Sequence, residues 1–128
     1  MVNLDEEVQS GDWAAEKHVP SIEIVSKEDN KVDVKVMVGK EIPHPNTTAH
    51  YIEWINLFFH PEGAKFPYQV GRAEFLVHGA STDGADTSTI YCEPVAWFTF
   101  KTEVSGLLYA ISMCNIHGLW RGEETLEL

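Results

Sequence analysis

Residues 31–38, KVDVKVMV, alternate strictly: Val32, Val34, Val36 and Val38 fall on one face, with Lys31, Asp33 and Lys35 on the other. A period of two puts successive side chains on opposite sides of an extended chain, so this segment reads as a half-buried strand. Its apolar face has to be covered, and helical periodicity is nearly absent from the rest of the chain. The cover must therefore come from further strands. SIEIV at 21–25 precedes it across the polar turn Lys27 to Asn30, which predicts a hairpin. Further candidates are 51–60, 68–77, 89–101, 107–113 and a short tail near 124–128, divided by Pro- and Gly-bearing stretches such as HPEGAKFP and HGASTDGADT. Pro94 inside its run predicts an edge or a bulge. About seven strands with no helical partner predict an all-β fold, an immunoglobulin-like sandwich or barrel. The 128 residues make one domain, 1–128, with an acidic N-terminal extension at 1–12 and room for a helical turn in the first 15.

Charge narrows the function. The chain has 9 basic and 20 acidic residues, a formal net charge of −11. Phosphate binding needs clustered Lys and Arg, so nucleic acid is excluded as a partner. No apolar run approaches the roughly 18–20 residues that cross a bilayer as a helix, which excludes a membrane span of that kind. The opening residues lack the basic-then-apolar layout of a secretory signal, so the expected compartment is the cytoplasm. There the pair Cys92 and Cys114 is expected to stay reduced.

Six histidines stand at 18, 44, 50, 60, 78 and 117. His18 lies in EKHVP, with Pro20 stiffening the chain just after it. His44 and His50 bound HPNTTAH, and Pro43 and Pro45 flank the first of them. Cys114 and His117 form a Cys-x-x-His pair in CNIHG, after a strand. Either feature alone is a weak signal, but together they predict a metal site. Imidazole and thiolate suit iron, copper or zinc rather than magnesium or calcium. The short CNIHG loop also turns the backbone N–H groups of Ile116 and His117 towards the sulfur, where they would tune a thiolate-bound metal. His60 and His78 read as turn histidines, and Cys92 reads as core filler within its strand.

EKHVP, KEIPHPNTTAHYIEW and CNIHGLW together resemble the signature segments of superoxide reductases. The resemblance continues through FFHPEG, VGRAEF and Cys92-Glu93-Pro94, and covers about Trp13 to Trp120. It is nearest the short one-iron, neelaredoxin type of the desulfoferrodoxin family, because the four N-terminal cysteines of the longer type are absent. The resemblance implies one iron with His18, His44, His50 and His117 in the equatorial plane and Cys114 as the axial thiolate. It places Glu16 and Lys17 at the open sixth position, the first able to bind oxidised iron and the second attracting superoxide. It further implies an external electron donor, usually rubredoxin, and homotetramers, which the aromatic-rich strands allow.

Two other classes compete. A blue-copper electron carrier is also a β-sandwich with a Cys-loop-His, but it usually needs a methionine downstream of the cysteine. Here the last methionine, Met113, lies upstream, and two histidines would be idle. A structural zinc site uses four ligands, one fewer than the set implied here.

Overall fold

A computed structural model describes residues 1–128, and in it Val32, Val34, Val36 and Val38 are all 0–1% exposed. They lie on or just beyond β3 (Lys31–Met37), which pairs antiparallel with β2 (Ser21–Glu28) on one side and β6 (Val95–Lys101) on the other. The β2–β3 hairpin turns at Asp29 and Asn30, with φ of 53° and 63°. Two consecutive left-handed residues make the tight turn whose twist matches its strands.

The cover for those valines is a second, five-stranded sheet. Its order is β1 (Val8–Gln9), β8 (Gly118–Leu126), β7 (Gly106–Cys114), β4 (Ile52–Pro61) and β5 (Tyr68–Glu74). Between the sheets, Ile55, Leu57, Leu108, Ala110 and Leu126 are fully buried against the β3 valines. The fold is all-β, as expected, with no α-helix beyond a single 3-10 turn at Leu4–Glu6.

Several boundaries differ from the sequence reading. The segment 89–101 becomes a strand only from Val95. Residues 89–94 form a loop that touches the body through the Tyr91–His78 bridge. Pro94 stands just before β6, an edge strand, and its carbonyl accepts from Val38 N at 3.0 Å. Cys92 is consequently in this loop, packed on the rim of the core. The short tail near 124–128 is the end of the nine-residue β8, whose glycines and charges hide its alternation. Gly122 is required there by contact, because a Cβ would lie 2.0 Å from the Pro20 carbonyl oxygen. That close approach seats the segment carrying His18 against β8.

Leu108 and Ser112 both project inward from β7 and are 0% exposed, but the Ser112 hydroxyl has no hydrogen-bond partner. Leu108→Ala should lower stability by about 2–5 kcal/mol, from lost transfer energy and a cavity. Ser112→Ala should be neutral or stabilising by about 1 kcal/mol, since it removes a buried unpaired hydroxyl. Urea denaturation midpoints test the pair, and equal losses from both would contradict this account of the core.

Candidate metal centre

Inward alternation along β7, through Leu108, Ala110 and Ser112, ends on Cys114, which is 0% exposed at the edge of the core. Cys114 pairs with Ile52 of β4, two residues after His50. A β-bulge between Ile52 and Trp54 lies next to this pair, the kind of irregularity that re-aims side chains beside sites. Asn115 then lashes the two outgoing loops together. It donates from its backbone N–H to the Tyr51 carbonyl at 3.2 Å, accepts from Tyr51 N at 2.9 Å and donates to the Ala49 carbonyl at 2.9 Å.

Four imidazoles close into a ring above this point. Neighbouring ring centroids lie 4.9 Å apart for His18–His44 and His44–His50, 5.0 Å for His50–His117 and 4.8 Å for His117–His18. The Cys114 sulfur sits 3.3 Å from His50 Nε2 and 3.8 Å from His117 Nδ1. His18, His44, His50 and Cys114 present donor atoms all within 4.8 Å of one another. His117 joins them through Nδ1, 3.2 Å from His18 Nε2. All five residues singled out in the sequence are thus brought together, from three separate stretches of chain.

Hydrogen bonds on the outer nitrogens decide the inner ones. His44 Nδ1 donates to the Pro45 carbonyl at 2.6 Å, and His18 Nδ1 donates to the Glu16 carboxylate at 2.6 Å. Each inward Nε2 then carries only a lone pair. His44 Nε2 is buried with no hydrogen-bond partner. A buried lone pair facing a thiol and other imidazoles is an electrostatic debt that a cation settles. The residues therefore fit a metal, and the nitrogen–sulfur donor set suits a transition metal.

The electrostatics favour the neutral form of two of the imidazoles. Burial, outweighing the Pro45 hydrogen bond, holds His44 down at about 4. Burial also lowers His50, helped by His117 and His18. Lys17 adds to both shifts as the last of their causes. For Glu16, burial works upward, but the side-chain and backbone hydrogen bonds from His18 and the Lys17 charge bring its carboxyl below the usual value. The His117 N–H donates to Cys114 Sγ at 3.3 Å, as the loop length predicts, whereas Ile116 N–H makes no such bond.

The remaining candidates stay outside. His60 accepts the role of a turn histidine, bonding the Ala64 carbonyl through Nε2 at 2.9 Å. His78 is buried between Asn46 and the Phe75 carbonyl and stacks on Tyr51 at 3.9 Å. Met113 precedes Cys114 on β7 and so faces the opposite side of the sheet, which leaves a copper site without its axial methionine. Sequence reading passed over three residues that shape the site. Asn115 has a detectable signal, sitting inside the Cys-x-x-His loop. Trp120 stacks on His18 at 4.8 Å with 13° between the planes, and Gln9 bonds the metal loop from 108 positions away. Neither contact has any signature in local spacing.

A family model for desulfoferrodoxin matches residues 10–123. The chain is 59% identical over 124 residues to a superoxide reductase of Pyrococcus furiosus, covering 97% of this chain and 99% of that protein. It is 45% identical over 122 residues to a neelaredoxin of Megalodesulfovibrio gigas, covering 94% of each. The solved structure of a superoxide reductase (neelaredoxin) from Archaeoglobus fulgidus in the reduced form superposes with a TM-score of 0.94 at 64% identity. That match covers 96% of this chain and all of the other. With its site residues and its two-sheet architecture accounted for along nearly the whole length, the chain belongs to the desulfoferrodoxin family.

Proposed function

We propose that the protein is a superoxide reductase, converting superoxide to hydrogen peroxide with one external electron and two protons. The observation that carries this reading is the closed ring of His18, His44, His50 and His117 with the Cys114 sulfur packed against it. Five protein donors on a six-coordinate metal leave one place for a small anion. Iron held there would supply one-electron chemistry between its two common oxidation states, with the thiolate raising its electron density. The reductases named among the relatives support the substrate. The electron would come from a small carrier protein of the rubredoxin kind.

The chain's own residues have separate tasks. Glu16 and the Pro45 carbonyl hold the His18 and His44 rings in the tautomer that points a lone pair inward. The His117 N–H on the sulfur restrains the thiolate's charge. Lys17 forms no ion pair with any carboxylate, so its charge remains available to an incoming anion. The outer face of the five-stranded sheet supplies a surface for assembly. Trp54, Phe58, Leu107, Tyr109, Ile111 and Met113 alternate with the buried positions of β4 and β7, and Phe58 stacks on Tyr109 at 5.1 Å. These side chains, half-buried apart from the exposed Leu107, form an apolar ribbon whose burial between copies would suit a homotetramer.

Purified protein should bind about one iron per chain and turn blue on oxidation through thiolate-to-iron charge transfer, and Cys114→Ser should lose the colour. With reductant present, superoxide should be consumed with stoichiometric peroxide and reductant use. Oxygen release at half the rate of superoxide loss would instead mark a dismutase. Lys17→Ala should slow the reaction with superoxide roughly tenfold at low salt while keeping iron and colour, since about 1.4 kcal/mol corresponds to one decade. In this reading Glu16 moves to the sixth position once the iron is oxidised, releasing its bond to His18 Nδ1. Glu16→Ala should therefore leave the superoxide rate almost unchanged and tighten azide binding to the oxidised form, and unchanged azide affinity would count against that role. Light scattering should give a four-chain mass that Ile111→Glu reduces. A wild-type monomer would remove the tetramer.

A further inference from the structure

The ring nitrogens that face away from the centre are held unequally. His18 and His44 each have theirs fixed, by the Glu16 carboxylate and the Pro45 carbonyl. His117 is exposed, and its Nε2 makes no hydrogen bond to the protein. Its orientation therefore has to be set through its backbone, which sits in a sharp turn. The next residue, Gly118, has a φ of +83°, the left-handed conformation that sends the chain back into β8.

One side chain spans that turn from outside. β1 runs parallel to β8 with Gln9 opposite Trp120. The Gln9 amide nitrogen lies 2.8 Å from the His117 carbonyl oxygen and 3.4 Å from that of Leu119, the two carbonyls that bracket Gly118. An amide NH2 has two hydrogens and can address both acceptors at once. The His117 oxygen also accepts the Trp120 indole N–H at 3.2 Å, and that indole stacks on His18. The stretch from Gln9 to His18 thus supplies one ring imidazole directly and holds the turn of another.

We propose that Gln9 is a positioning residue of the metal centre, the donor that fixes the His117 turn and hence the direction of His117 Nδ1. This role rests on the reading of His117 as a ligand. It gives the N-terminal segment a function at the site, which its acidic, motif-free sequence does not suggest. The side chain acts as a donor only, so an isosteric group without N–H cannot replace it, and a longer donor can.

The test compares iron-loaded Gln9→Met, which keeps the volume and loses both donors, with Gln9→Lys, which restores an N–H donor. In Gln9→Met, release of iron to a chelator should quicken by about tenfold, the lower range for outer-shell partners of metal ligands. The visible band of the oxidised centre should shift, and the unfolding midpoint of the metal-free protein should be unchanged. Gln9→Lys should behave like the wild type. Wild-type release and spectrum in Gln9→Met would overturn the proposal. So would a parallel fall in metal-free stability, or a Gln9→Lys variant as impaired as Gln9→Met. His117→Gln, measured alongside, separates the two levels. If it kept iron and spectrum, the ligand reading would fall. If it alone lost them, only the role of Gln9 would.

Discussion

Where β4 and β7 leave the core side by side, Ile52 pairs with Cys114, and Asn115 ties the two outgoing loops together by three hydrogen bonds. Each later feature of the centre inherits its position from this junction. The sulfur is buried because Cys114 continues the inward alternation of Leu108, Ala110 and Ser112. His50 reaches that sulfur because it stands two residues before Ile52. The remaining imidazoles are brought to it by contacts between loops and β8, including the approach of Pro20 to Gly122 that admits no side chain. These contacts between strands and loops organise the ring.

The electrostatic design sets His44 and His50, both biased towards the neutral imidazole, in an acidic protein. Burial keeps His44 deprotonated well below neutral pH, so cation binding there has no proton to displace. The overall charge of −11 would repel a small anion at long range. Salt cuts such fields off within about 8 Å at physiological strength, which leaves nearby charges in control. Lys17, half-buried, next to His18 in the chain and free of carboxylate partners, is the charge we propose for that task.

The strands with clean alternation, β3 above all, were legible because one of their faces meets the core and the other meets water. β8 was foreseen only at its end, since Gly118, Gly122 and the run of charges at 121–124 erase the period while serving a turn and a close contact. β1 is two residues long, and pairing across more than a hundred positions leaves no trace in spacing. The site residues themselves were legible because proline-rich loops and a Cys-x-x-His are unusual, and because the motifs resemble a known family. What held them was less so. Glu16 stood out in the sequence beside His18, yet its bond to the His18 ring nitrogen is a matter of side-chain geometry. Gln9 and Trp120 act through the backbone carbonyl of a residue far from one of them, and backbone acceptors are the same in every sequence.

The separation of the donors along the chain also orders events during synthesis. His18, His44 and His50 emerge early, and Cys114 follows His50 only after 64 further residues. At about 5–20 residues per second, that interval is roughly 3 to 13 seconds. Through it the three imidazoles have neither their thiolate nor the β7 strand that aligns it, so the full donor set exists only once β7 is made. Selection among competing metals is thereby postponed to a nearly finished domain whose geometry can discriminate.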